Sequence, residues 1–199
     1  MVNDDLRTKV REELPQIAKI SSRQLKDKVV EAWAMALAGS SFNAIAEIPA
    51  SSQPGRPELI GYTQADHIRG VARLAIRLAD ELMEMFPELP IDRDILVAGA
   101  ICHDVGKPWE YDPQNQARWQ ASPGKSGWPS IRHPGYGVHI CLTVGLPEQV
   151  AHTAGGHSGE GELIKRSLEN TIVHHADCAF WETLETGGML SPVQGHPKS

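Results

Sequence analysis

Cysteine is scarce: three among 199 residues, at positions 102, 141 and 178, an odd number with no CxxC pair. A disulfide framework is thereby excluded, and buried thiols in a reducing, cytoplasmic compartment are expected instead. Long apolar runs are missing as well. No stretch approaches the ~20 residues needed to cross a bilayer, and the opening MVNDDLRTKVREEL is charged and periodic, unlike a signal peptide. No membrane partner is expected. Basic runs are also lacking, since 19 Lys and Arg stand against 25 Asp and Glu, for a net charge of −6. Phosphate backbones require clustered cations, so nucleic acid is disfavoured as a partner and a small-molecule substrate is favoured. There is no internal repeat and no convincing strand pattern.

What is present is helical periodicity. Residues 4–20 and 22–38 read as two amphipathic helices, the second with Leu25, Val29, Trp33 and Leu37 at steps of four. Residues 39–62, rich in Gly, Pro and Ser, read as a long connection. Thr63 and Asp66 outline a capping box for the next helix, whose apolar stripe is Val71, Leu74 and Leu78, and Pro87 and Pro90 end it. A second core helix covers 92–104, with Gly106 and Pro108 as its stop signal. Residues 107–132 look irregular and aromatic. A helix follows from about Pro134 to Leu142, ended by Gly145, with Pro147 opening another. The last long helix is expected over 161–185. The chain is expected to divide into N-terminal helices and a connecting loop (1–60), a main helical domain (61–186) and a loose tail (187–199). The fold class is all-α.

Histidine is abundant, with nine in the chain. His103 and Asp104 are adjacent, a spacing that separates them by about 100° on a helix. In the last turn before Gly106 they can still converge on one ion. A carboxylate can bridge two cations, whereas an imidazole offers one nitrogen. His67 lies four residues before Val71 and so shares the buried stripe of its helix. Asp177 interrupts the otherwise apolar stripe Val173, Phe180, Trp181 and Leu184. Burying a lone carboxylate is costly, and a metal would relieve that cost. His133 precedes a helix, and His157 is flanked by glycines. His152 competes with His157 for a ligand role, and His174, one helical turn before Asp177, fits a supporting position beside the metal. His139 and His175 fall on other faces, and His196 lies in the tail.

The segments ADHIRGVARLA (65–75), AGAICHDVGK (98–107), RHPGYGVH (132–139), GGHSGEGE (155–162) and VHHADCAFWE (173–182) resemble the successive motifs of the HD superfamily. The resemblance covers about residues 60–185. It implies an HD-domain helical bundle, here with extra N-terminal helices that could cap the bundle or build a homodimer interface. It implies that His67, His103, Asp104 and Asp177 hold one metal, and that Asp104 bridges to a second held by His133 and His157. Two divalent transition metal ions are therefore expected, of Fe, Mn, Zn, Ni or Co.

The resemblance also implies chemistry. The preferred reading is a phosphohydrolase acting on a phosphate ester or nucleotide, with a metal-bridging hydroxide as nucleophile and Lys107 neutralising developing charge. The alternatives are a di-iron oxygenase cleaving a C–C or C–P bond, and a non-catalytic binding module. Substrate contacts are sought in 107–132, where Lys107, Trp109, Tyr111 and Arg132 stand out and Trp119, Lys125 and Trp128 could join them. Glu110 is a conceivable proton shuttle, by sequence proximity alone.

Overall fold

The computed structural model describes residues 2–192. Helix α1 (Asp4–Glu13) is capped by Asn3, whose side chain accepts from Leu6 N. It stops at Leu14, and Pro15–Lys19 turns tightly as a 3₁₀ helix. The single helix expected over 4–20 is therefore broken. The proline at 15 has no N–H to donate, so it opens a new turn rather than continuing the old one. Helix α2 (Arg23–Ala38) begins at the Ser22 cap and buries Leu25, Val29, Trp33 and Leu37, the stripe read from the sequence.

The long connection holds structure that the sequence reading did not find. Strands β1 (Pro49–Ser51) and β2 (Glu58–Thr63) form a two-stranded antiparallel hairpin with an irregular register. Its outer edge is covered by the start of the presumed loose tail: Ile60 N donates to Met189 O at 3.0 Å, and Ser191 N to Glu58 O at 2.8 Å. Edge backbone groups need partners, and these residues supply them. Residues 193–199, with His196, lie outside the described part.

Helix α3 (Gln64–Met85) starts at the expected box, with Thr63 N donating to Asp66 Oδ2 at 2.9 Å. Its buried face differs from the expected stripe. His67, Val71, Ala72, Ala75 and Ala79 are buried, whereas Leu74 is 44% and Leu78 39% exposed. Alanines let α3 approach its neighbours closely, and that rotates the leucines to the rim. Helix α4 (Arg93–Cys102) is enclosed, with every residue from Leu96 to Cys102 buried. It touches α2 and α3, and later in the chain α9 and α10. Trp33 of α2 is fully buried and its indole N–H donates to Ile101 O at 3.0 Å, fastening the N-terminal helices to the end of α4.

The stretch 107–132 is not irregular. It folds as three short helices, α5 (Lys107–Tyr111), α6 (Pro113–Gln120) and α7 (Pro123–Ser126), each with proline in its first turn. Pre-set φ values and the missing donor suit proline to that position. Trp119 is buried there. Helix α8 (His133–Thr143) ends before Gly145, which adopts φ +72°. Helix α9 (Glu148–Gly156) follows, then a 3₁₀ turn (Gly159–Leu163), then α10 (Leu168–Thr186). The last helix thus begins seven residues later than expected, because Ser167 caps it by accepting from Asn170 N. Helices α3, α4, α8, α9 and α10 pack as one bundle, with α4 inside.

Asp112 links the segment after α5 to the N-terminal part. Its carboxylate accepts from Ser41 N at 2.7 Å, Gln114 N at 2.9 Å and Asn115 N at 3.2 Å. Burial opposes its ionisation, but those N–H donors outweigh it and hold the carboxyl below its usual value. A depressed folded pKa stabilises above the unfolded value and loses that contribution as pH falls through the folded one. Replacement Asp112→Ala is expected to cost about 2 kcal/mol near neutrality. Thermal melts should show the gap from the parent narrowing as pH drops toward 3, and a gap constant with pH would contradict this assignment.

Candidate metal centre

The site forms where α4 runs out. His103 terminates α4 and Asp104 stands in the turn immediately after it. Gly106 follows in the same turn, with an ordinary backbone of φ −83°, and what it supplies is space. A Cβ at that position would overlap the His133 carbonyl oxygen and lie 2.8 Å from Gly137 N. Glycine is required by close approach, which seats α8, and hence His133, against the His-Asp turn.

All six expected donors come together. The imidazoles of His67, His103, His133 and His157 and the carboxylate of Asp104 are buried, and Asp177 is partly so. The two oxygens of Asp104 divide the histidines between them. Oδ2 is 3.1 Å from His67 Nε2 and 3.4 Å from His103 Nε2. Oδ1 is 3.1 Å from His133 Nε2 and 3.5 Å from His157 Nε2. Asp177 Oδ1 lies 3.4 Å from His67 Nε2, on the Oδ2 side.

The outer ring nitrogens are mostly tied to acceptors. His103 Nδ1 donates to Ala100 O at 2.7 Å, and His157 Nδ1 to Ala154 O at 3.0 Å. His133 Nδ1 bonds to Glu110 Oε2. A carbonyl cannot donate, so the neutral rings carry their proton on Nδ1 and turn a bare Nε2 inward. His67 is held differently. Its Nδ1 has no partner, and its ring is clamped by Trp181, stacked at 4.8 Å, and by the edge of Phe180 at 4.9 Å.

Charge follows from these contacts. Burial pushes His67 down, and burial together with the Lys107 charge pushes His133 down to about 4, so both are neutral near pH 7. Burial also opposes ionisation of Asp104, but Lys107, His103 and His133 outweigh it and hold the carboxyl well below its usual range. At His103 burial is overcome by the Asp104 charge, and the pKa rises. The field of Asp104 therefore favours positive charge at the imidazole cluster.

These groups fit a metal. His67 Nε2 and His103 Nε2 face each other at 3.1 Å, and Asp177 Oδ1 is buried without a hydrogen-bond donor. One ligand atom from each of His67, His103 and Asp177 lies within 4.8 Å of the others, and the same is true of His103, Asp104 and His157. Several ring nitrogens and carboxylate oxygens crowded into one buried space are the arrangement a cation resolves, and mixed nitrogen and oxygen donors suit a divalent transition ion.

The HD domain family model matches residues 65–179. The chain belongs to the HD domain family. Among proteins of assigned name, it is 26% identical over 113 residues to the dihydroneopterin 2′,3′-cyclic phosphate phosphodiesterase of Methanocaldococcus jannaschii. That alignment takes in 56% of this chain and 43% of the relative, so the chain spans under half of the relative's length. No solved structure matches the chain at comparable significance. The HD domain holds all six donors, and β1, β2, α1 and α2 precede it.

The other expected residues are placed as follows. His152 Nε2 accepts from Ser167 N at 3.1 Å, away from the cluster, so His157 is the histidine brought in from α9. His174 bonds through Nδ1 to His157 O at 2.6 Å, behind that imidazole. His139 and His175 are exposed. Lys107 does not point to an open cleft. It is buried and donates to Ser51 O at 2.6 Å and Ser52 O at 2.9 Å. Tyr111 OH donates to Ser51 O at 3.0 Å, and Trp109 stacks on Tyr136 at 4.5 Å. The cleft beside the site, about 450 Å³, is bordered by Arg132 and Trp181 on one side and by Ser52, Gln53 and Arg56 on the other.

Sequence reasoning missed Gln64 and the role of Glu110. Gln64 Nε2 donates to Asp104 Oδ2 at 2.7 Å. It sits one turn before His67 on the same face, a legible signal. Glu110 is fully buried against His133, and nothing in the spacing announced that. Replacement Gly106→Ala should destabilise the protein by about 1–3 kcal/mol and reduce metal retained after dialysis. Melting curves and elemental analysis matching the parent would show that the contact yields.

Proposed function

We propose that the protein is a metal-dependent phosphohydrolase with a dinuclear centre, acting on a small phosphate ester. The observation that carries this reading is the division of Asp104, one oxygen toward His67 and His103 and the other toward His133 and His157. Family membership supports it, as does the phosphodiesterase name of the archaeal relative. His67, His103, Asp177 and Asp104 Oδ2 would hold one ion, and His133, His157 and Asp104 Oδ1 the other. Bound there, the ions supply Lewis acidity toward phosphoryl oxygens and lower the pKa of water.

The chain's own groups prepare that chemistry. Glu110 keeps the His133 proton on Nδ1, fixing the tautomer and the ring plane. The Ala100 and Ala154 carbonyls do the same for His103 and His157. Gln64 holds the Asp104 carboxylate in the orientation that serves both sides. Trp181 and Phe180 cover His67 and keep water from its ring. Lys107 contributes charge through the low-dielectric interior while its hydrogen bonds are spent on β1. Arg132, 3.4 Å from both Glu110 Oε1 and Glu160 Oε1, stands where the cleft meets the Glu110–His133 pair.

Replacement Glu110→Gln keeps the shape but removes the charge behind His133, and should lower metal affinity or activity about 10–100-fold. Asp104→Ala should abolish both. Phosphate release from a panel of mono- and diesters, after chelation and reloading with Mn or Co, measures the activity. Coloured, EPR-active iron with O₂ uptake and no phosphate release would overturn the hydrolase in favour of an oxygenase. Neither phosphate release nor O₂ uptake from the metal-loaded parent would leave a binding module.

A further inference from the structure

Two depressions meet at the hairpin tip. The first is the 450 Å³ cleft beside the metal centre, reached by Arg56, Arg132 and Trp181. The second is a smaller hollow of about 230 Å³, formed by Pro54, Trp128, Pro129 and Gln116. Gln53 and Arg56 border both, so the two are immediate neighbours.

Resting on the phosphohydrolase reading, we infer that the β1–β2 hairpin builds a two-part substrate site: Arg56 receives the phosphate at the metal-side cleft, and Trp128 receives a planar ring in the hollow beyond. The substrate class is then a phosphate ester carrying a flat, ring-shaped group.

Three observations support the phosphate half. Arg56 is exposed and makes no ion pair among the described residues, whereas Arg132 across the cleft already faces two carboxylates. The one acid on the cleft wall, Glu185, is exposed at its rim. The tip that carries Arg56 is anchored: Lys107 and Tyr111 hold the carbonyls of Ser51 and Ser52, and the Ser51 hydroxyl bonds to Gln53 O at 3.0 Å and Arg56 O at 3.3 Å. The lysine of the HD motif thus ties the metal centre to the strand that presents the arginine. A guanidinium carried on a backbone anchored this way is placed to bind phosphate by charge-assisted hydrogen bonds.

The ring half rests on Trp128. Its side chain is 47% exposed, yet it is fixed by a hydrogen bond from its N–H to Gln116 Oε1 at 3.3 Å and walled by two prolines. A fixed, half-open indole between rigid residues is a stacking platform. None of these residues lies among the six metal donors, and the hairpin precedes the residues that the family model matches.

The test is equilibrium binding by calorimetry to the metal-loaded full chain, with AMP and ribose 5-phosphate as probes, which share a phosphate and differ in the ring. The parent should bind AMP roughly tenfold more tightly than ribose 5-phosphate. Trp128→Ala should bring that ratio close to one. Arg56→Ala should weaken both probes about tenfold, and Arg56→Lys should recover part of the loss. An unchanged ratio in Trp128→Ala, undiminished binding in Arg56→Ala, or no binding of either probe to the parent would overturn the two-part site. Phosphate release is read separately: binding as expected without turnover of any ester would remove the hydrolase reading and keep the site.

Discussion

One buried carboxylate organises this molecule. Asp104 is 3% exposed, and an ionised group so deep needs compensation on every side. It receives this from Gln64 by hydrogen bond, from four imidazoles at 3.1–3.5 Å, and from the charge of Lys107. Those groups arrive on α3, on the end of α4, on α5, on α8 and on α9. The bundle can be described as the set of helices needed to surround one negative charge with imidazole nitrogens and the buried charge of Lys107. The same arrangement makes the surroundings receptive to further positive charge, which is the requirement for holding metal.

Supporting contacts decide how well the donors are aimed. Three of the four histidines are oriented by an acceptor on the outer nitrogen, two by carbonyls three residues earlier in their own helices and one by Glu110. The carbonyl type comes free with a helix end, where the last C=O groups lack intrahelical donors. That is why His103 and His157, which terminate α4 and α9, need no partner from elsewhere. His133 opens its helix and has no such carbonyl, so a carboxylate from α5 must be brought to it. His67, mid-turn on α3, relies on aromatic packing.

The N-terminal third serves the site from outside the family domain. Trp33 locks α2 to the end of α4, and the hairpin is drawn onto the centre by Lys107. Lys107 looks like a substrate cation when only HDVGK is in view. Its burial makes it a strut, because its ammonium is spent on the carbonyls of Ser51 and Ser52. The exposed Leu74 and Leu78 show the complementary effect, since close packing through alanines displaces larger residues to the rim.

The helical class, the capping box at Thr63, the stop at Gly145 and the candidates His67, His103, Asp104, His133, His157 and Asp177, which the fold brings into one cluster, were legible in the sequence. Each depends on local chemistry: a period of 3.6, a cap, a backbone needing φ > 0, or a polar residue on an apolar face that must find a partner. The hairpin, the break at Pro15, the three helices within 107–132 and the start of α10 at Leu168 were not legible. They turn on single caps and short-range trades that periodicity averages away. The pairing of Glu110 with His133, the placement of His152 apart from His157, and the junction of Arg56 with Trp128 were decided only by tertiary structure. Those are distances between residues on different elements, set by how closely α8 can approach Gly106 and where β1 comes to rest, and no spacing along the chain encodes them.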